Sequence, residues 1–206
     1  MIRMNTKTAL TLRPGRPREF DGDAVLDKAI IRFSEYGYHG SSISDLNGAL
    51  GLTSGSIYKA WGDKRGLFLA ALDRYMLLRA EAIRTCLAEQ SSGRSKIEAL
   101  LQHYARDSTG AAGRTGCMVV ETAAELAVAD EEIAGRIAAQ HRKREAQLCA
   151  LAVEAQRDGS LHTGMEAAVI AKLLLTLQQG MRVLGKTGAT PEEMQPMIAG
   201  LMQLLS

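Results

Sequence analysis

Apolar positions recur at helical spacing along almost the whole chain, interrupted by short polar or glycine-rich breaks. Val25, Ala29, Phe33 and Tyr36 share one face of a segment predicted over about 22–36, with Asp21 as its cap and Gly37 as its stop. Two short segments follow, about 42–50 and 53–61, parted by Gly51 and Leu52. A long one runs from near Asp63 to Glu89. Further helices are predicted over about 96–108, 117–128, 131–157, 166–186 and 191–205, with joints at 90–93, 110–116, 130, 158–164 and 187–190. No stretch alternates like a strand, so the expectation is an all-α protein of about nine helices.

Composition strengthens this reading. Alanine and leucine far outnumber the β-branched residues, and the 4 prolines lie only at positions 14, 17, 191 and 196. A chain of 206 residues can bury a core without staples. The 3 cysteines, Cys86, Cys117 and Cys149, fit neither a disulfide framework nor a zinc spacing, which points to a reducing cytoplasm. Unbroken apolar runs such as Ala167 to Ala171 are far shorter than a membrane span, and residues 1–18 lack the apolar stretch of a secretory signal. Net charge is only +2, but Arg3, Lys7, Arg13, Arg16 and Arg18 make a basic arm without an acid, a pointer to a polyanion.

The pair of short helices between Gly40 and Trp61 carries the most information. Ile43, Leu46 and Leu50 form one buried stripe, Gly51 supplies a left-handed turn, and Ile57 and Trp61 bury the back of the second helix. Two short helices joined by a glycine turn make a helix-turn-helix. The front of its second helix is then Thr53, Ser54, Gly55, Ser56, Tyr58 and Lys59, a small, hydroxyl-rich and cationic face. Such a face suits a major groove, and spacing alone equally allows a helical hairpin with a solvated side.

The segments Gly40-Ser-Ser-Ile-Ser-Asp-Leu46 and Leu50-Gly-Leu-Thr-Ser-Gly-Ser-Ile-Tyr-Lys-Ala-Trp-Gly-Asp-Lys-Arg-Gly-Leu-Phe68 closely resemble the TetR/AcrR family of bacterial transcriptional regulators. Gly15-Arg-Pro-Arg-Glu-Phe-Asp21 is similar to the arm and first-helix start of one branch, and the resemblance covers about 15–78. Beyond it, Gly116-Cys-Met-Val119 and Gln179-Gly-Met-Arg-Val-Leu184 resemble ligand-domain segments of some members. The resemblance implies an all-helical homodimer that represses transcription until a small molecule binds its C-terminal domain. It implies phosphate contacts at Ser42, Tyr58 and Lys64, base-facing positions at Ser44, Thr53, Ser54, Gly55, Ser56 and Lys59, and a minor-groove arm carrying Arg16 and Arg18. Hydroxyls and lysines at a helix start meet phosphate where the dipole already favours an anion. Gly48 and Trp61 depart from the residues usual in the family, the glycine at a cost of up to about 1 kcal/mol.

The same reading divides the chain into an arm (1–18), a DNA-binding domain (19–78, with the motif at about 42–61) and an effector-binding and dimerisation domain (79–206). Ile170, Leu174, Leu177, Met181 and Leu184 step by four and three, as do Met194, Ile198, Leu201 and Leu205. Each series fits either an intrachain core or a dimer interface, and the resemblance favours the interface. Position in the middle helices and the resemblance make His103, Tyr104, Cys117, Glu121 and Gln178 candidates for an apolar effector cavity. Cys117, three residues after Arg114 at a helix start, is either a reactive sensor or an inert packing thiol. Glu121 and Glu125 read as a solvated face or a polar spot in that cavity, and His141, Arg142, Lys143, Arg144 and Glu145 as a solvated charge cluster. The four histidines show no metal-ligand pattern, and there is no Walker loop, nucleotide fingerprint or hydrolase elbow. No catalytic residue, metal or cofactor is expected. The expected partners are an operator duplex, a small effector and a second copy of the chain, with no membrane. The alternatives are a constitutive DNA binder without an effector and a helical-bundle enzyme. The length of chain after the reading head speaks against the first, and the missing catalytic set against the second.

Overall fold

A computed structural model describes residues 20–206. The arm residues Arg16 and Arg18 lie outside the described residues. All nine expected helices are present: α1 (Gly22–Tyr36), α2 (Ile43–Leu50), α3 (Ser54–Trp61), α4 (Lys64–Ala88), α5 (Gly93–Asp107), α7 (Met118–Leu126), α8 (Glu131–Arg157), α9 (Ala167–Lys186) and α10 (Pro191–Leu204). The described residues add a tenth, the six-residue α6 (Gly110–Thr115), inside a segment that reads as a joint. Three glycines at 110, 113 and 116 mask it in the sequence. Gly113 is needed because the helix lies so close to its neighbours: a Cβ there would sit 2.6 Å from the Ser108 carbonyl.

Local chemistry accounts for the helix ends. The Asp21 carboxylate accepts from the amide of Asp23 at 2.9 Å, and Asp63 likewise from Gly66 at 2.7 Å, satisfying donors that a helix start leaves orphaned. Gly51 stops α2 at φ 68°, ψ 31°, as the glycine-turn reading requires.

The core has two centres. The first gathers Val25 and Phe33 of α1, Leu46 of α2, Ile57 of α3 and Phe68 of α4. It also takes in Met118 and Leu126 of α7 and Ile133 and Ile137 of α8. Phe33 and Phe68 meet edge to face at its middle, with centroids 5.1 Å apart. The second centre joins α5, the later half of α8, α9 and α10.

That second centre corrects the dimer assignment. Ile170, Leu174, Met181, Met194, Ile198 and Leu205 are fully or nearly buried within their own chain, so they offer no surface to a partner. Leu177 and Leu201 pack half-buried against the same cluster, and of the nine only Leu184 is exposed. A four-three spacing describes any packed helix seam, and here the deepest seam faces inward. The outward faces carry a different set: Val169, Leu173, Val183 and Leu184 on α9 and Leu204 on α10 are exposed. By length and composition α9 could cross a membrane, at a mean hydropathy of 1.3. Seven of its residues are nevertheless buried in the protein, Gln178 and Arg182 among them.

Candidate nucleic-acid interface and effector cavity

The reading head is built by its caps. Ser42 and Asp45 form a reciprocal box at the start of α2: Ser42 Oγ accepts from the Asp45 amide at 3.1 Å, and Asp45 Oδ2 accepts from the Ser42 amide at 2.9 Å. The Ser42 hydroxyl, which also donates to Asp45 Oδ2 at 2.7 Å, and the Ser42 amide together hold the Asp45 carboxyl below the usual carboxylate range. Thr53 opens α3 in the same manner, accepting from the Ser56 amide at 3.2 Å while its hydroxyl pairs with that of Ser56. Asn47 of α2 donates to Ser54 Oγ at 2.8 Å. Ser54 therefore ties the two helices together, a correction to its assignment to the base-facing set. Ser44, Thr53, Gly55, Tyr58 and Lys59 all stand on the exposed side, with Tyr58 46% exposed. The motif thus presents hydroxyls, a phenol and an ammonium on one surface, backed by fully buried Leu46 and Ile57.

Lys64 begins α4 half-buried, its ammonium 4.2 Å from the centroid of the Tyr38 ring. Partial burial pushes its pKa below the ordinary lysine value. The ring fixes the direction of a long side chain that would otherwise swing freely. This platform was not legible from residue spacing, because Tyr38 lies in the turn before α2.

Behind the head, side chains from the C-terminal half grip the end of α1. Glu125 of α7 accepts from the amides of Tyr38 at 2.7 Å and His39 at 2.6 Å, so it is neither solvated nor in a cavity. Lys186 at the end of α9 donates to the carbonyls of Ser34 at 2.6 Å and Thr115 at 3.2 Å. Glu121, expected in the effector cavity, pairs instead with this lysine at 3.4 Å. Arg65 spans from α4 to Asp130 and Glu132, both at 2.9 Å, and lowers both carboxyl pKa values. Glu125→Gln should destabilise the protein by about 1–2 kcal/mol in urea unfolding, because an amide cannot accept from both backbone donors as a carboxylate does. Unchanged stability would show that the turn holds itself.

A cavity of about 290 Å³ opens between α4, α5, α7, α8 and α9. Of the five expected lining residues it takes Tyr104 and Cys117. Gln178 is fully buried just behind the wall, its carbonyl 3.4 Å from Arg144 Nε. His103 lies against Asp107 at 3.4 Å, outside the lining, and burial pushes its pKa down. Cys117 is the N-cap of α7, and its sulfur accepts from the Tyr75 hydroxyl at 3.2 Å. Arg79, Arg144 and Arg182, which sequence reasoning did not place here, also line the cavity. Arg144 is only 7% exposed, a correction to the solvated reading of residues 141–145.

A helix-turn-helix head on a larger helical body is the architecture of a DNA-binding transcriptional regulator. The chain belongs to the TetR family: residues 25–71 match "Bacterial regulatory proteins, tetR family" and 93–201 match "Tetracyclin repressor-like, C-terminal domain". It is 29% identical over 193 residues to the HTH-type transcriptional repressor ComR of Escherichia coli, covering 92% of this chain and 91% of that one. It is 28% identical over 182 residues to the uncharacterised HTH-type regulator YezE of Bacillus subtilis, covering 88% of this chain and 94% of that one. Among solved structures, a cysteine-substituted CifR complexed with 26 bp operator DNA superimposes with a TM-score of 0.83 at 26% identity, covering 93% of this chain and 100% of that one. The protein is accordingly a DNA-binding transcriptional regulator and not an enzyme.

Proposed function

We propose that the protein is a cytoplasmic repressor that holds a palindromic operator as a homodimer and releases it when a small molecule fills the cavity. The observation that carries this reading is the placement of α7. Its start, at Val119 with Cys117 before it, lines the cavity, and its end, at Glu125, holds the turn that leads into α2. A ligand that shifts α7 therefore acts on the reading head directly. Ligands of this kind contribute roughly 1–3 kcal/mol of coupling, or about 5–150-fold in operator affinity.

In this reading α3 enters the major groove. Ser42, Tyr58 and Lys64 meet phosphates, while Ser44, Thr53, Gly55, Ser56 and Lys59 face bases and Arg16 and Arg18 reach the minor groove. The dimer forms through the outer faces of α9 and α10. Val169, Leu173, Thr176, Gly180 and Leu184 repeat every three or four residues along α9, and no atom lies within 4 Å of a Cβ built at Gly180. A partner helix can therefore approach closely.

The test is binding to a duplex selected from random sequence. Lys64→Ala should weaken all sequences alike and reduce the salt slope by about 0.9, one phosphate's worth. Tyr58→Phe should cost about five-fold regardless of sequence, the size of one hydrogen bond. Lys59→Ala should instead change preference at particular base pairs. Operator affinity untouched by all three changes would remove the reading head from this face.

A further inference from the structure

We infer that the cavity is a receptor for a small organic anion, a carboxylate on an apolar body, whose charged end is held by Arg144. The inference rests on the effector reading of this cavity and names the chemistry it selects.

Arg144 is the reason. It projects from α8 into the cavity wall at 7% exposure. Its partners are neutral: Gln178 accepts from Nε at 3.4 Å, Gln147 accepts from Nη1 at 3.2 Å, and the Tyr104 phenol stands beside it. Nη2 is buried with no partner at all. Among the described residues no carboxylate forms an ion pair with it, and burial pushes its pKa below the ordinary arginine value. A buried, unpaired charge is among the costlier arrangements a fold can hold, and pairing relieves it.

The surroundings deepen the imbalance. Arg79, Arg144 and Arg182 stand 5.5, 5.7 and 5.6 Å from the centroid of the Tyr104 ring. One carboxylate serves this group: Asp107 pairs with Arg79 and lies 3.5 Å from Arg182, and it forms no ion pair with Arg144. Asp73, the one acid in the cavity lining, is taken by Arg136 at 3.2 Å. Lys143 adds a further cation to the lining. The remaining wall sets apolar Met76, Leu77, Ile83 and Val119 beside polar Gln140, His141 and Gln179. A guanidinium edge meets a carboxylate through two parallel hydrogen bonds, and the free Nη2 is half of such a fork. At about 290 Å³ the space lies at the lower end of small-molecule sites, which sets the scale of the ligand.

The experiment compares benzoate and hexanoate with benzamide and hexanamide, the same bodies without charge, at constant ionic strength. Calorimetric titration of the full-length protein without DNA should show the acids binding about ten-fold or more tightly than the amides, the size of a charge-assisted hydrogen bond. Arg144→Met should erase that preference and raise the melting temperature of the unliganded protein, since it removes an uncompensated charge. Arg142→Met, the same change at an exposed neighbour, should do neither. Equal affinity for acids and amides, or no binding of either at millimolar concentration, overturns the assignment. So does an unliganded Arg144→Met protein that melts below wild type. Operator affinity is read separately. Acids that bind without loosening DNA leave the anion site standing and remove the effector role. Intact operator binding with no acid bound removes the anion site alone.

Discussion

Gly93→Ala is expected to cost about 3 kcal/mol or more, a severe penalty for one methyl group. Gly93 opens α5, and a Cβ there would stand 2.3 Å from both the nitrogen and the Cα of Ala155 in α8. These are backbone atoms, so no side chain can turn away to relieve the clash. The contact is also stitched on both sides. The Gly93 amide donates to Asp158 at 2.7 Å and the Arg94 amide to Ser160 Oγ at 3.0 Å, so parting the helices breaks these bonds as well. For a chain of this size the melting temperature should fall by roughly 6–12 °C. Gly135→Ala is the control, because nothing lies within 4 Å of its Cβ position in α8. It should stabilise the helix by up to about 1 kcal/mol. Similar melting temperatures for the two variants would show that α5 and α8 do not pack this closely in solution.

Leu173→Glu should yield a folded monomer whose operator affinity falls about 10²–10⁴-fold, the advantage of binding two half-sites as one molecule. Leu173 is 42% exposed in the single chain, so a carboxylate is tolerated there in the monomer. In the proposed dimer it would be buried without a partner, which an interface core does not tolerate. Sedimentation reads the assembly and circular dichroism the fold. A variant that remains dimeric would move the interface off this face of α9. Ile170→Glu is a different experiment, since Ile170 is fully buried in its own chain and the change would unfold the protein before it tested assembly.

The difference between those two residues shows how far the sequence could be read. Helical spacing of apolar residues and the breaks between segments located every long helix, but spacing separates faces only by how apolar they are. On α9 both the inward series through Ile170, Leu174 and Met181 and the outward series through Val169 and Leu173 are apolar. Nothing local tells which one meets the chain's own α5 and α8. The reading head was legible for the opposite reason. Its caps, glycine turn and outward hydroxyls are set by residues a few positions apart, and the structure keeps all of them but Ser54 on the outer or capping positions. The cavity was legible only in part. Tyr104 and Cys117 line it, whereas Arg144 sits between solvated Lys143 and Glu145 and looks in sequence like one more surface charge. Glu125 shows the same limit: its partners lie 87 and 86 residues away.

The first core centre bears on how such regulators can be recombined. Met118 and Leu126 of α7 and Ile133 and Ile137 of α8 complete the packing beneath Phe33 and Phe68, although they belong by chain order to the other half of the protein. A chimera cut after residue 78 would join a foreign sensor to a head that has lost part of its own interior. It would also lack the carboxylate of Glu125 and the ammonium of Lys186, which close the end of α1. Exchange of sensors between relatives therefore has to carry these six side chains across with the head, or replace them with others that fill the same space.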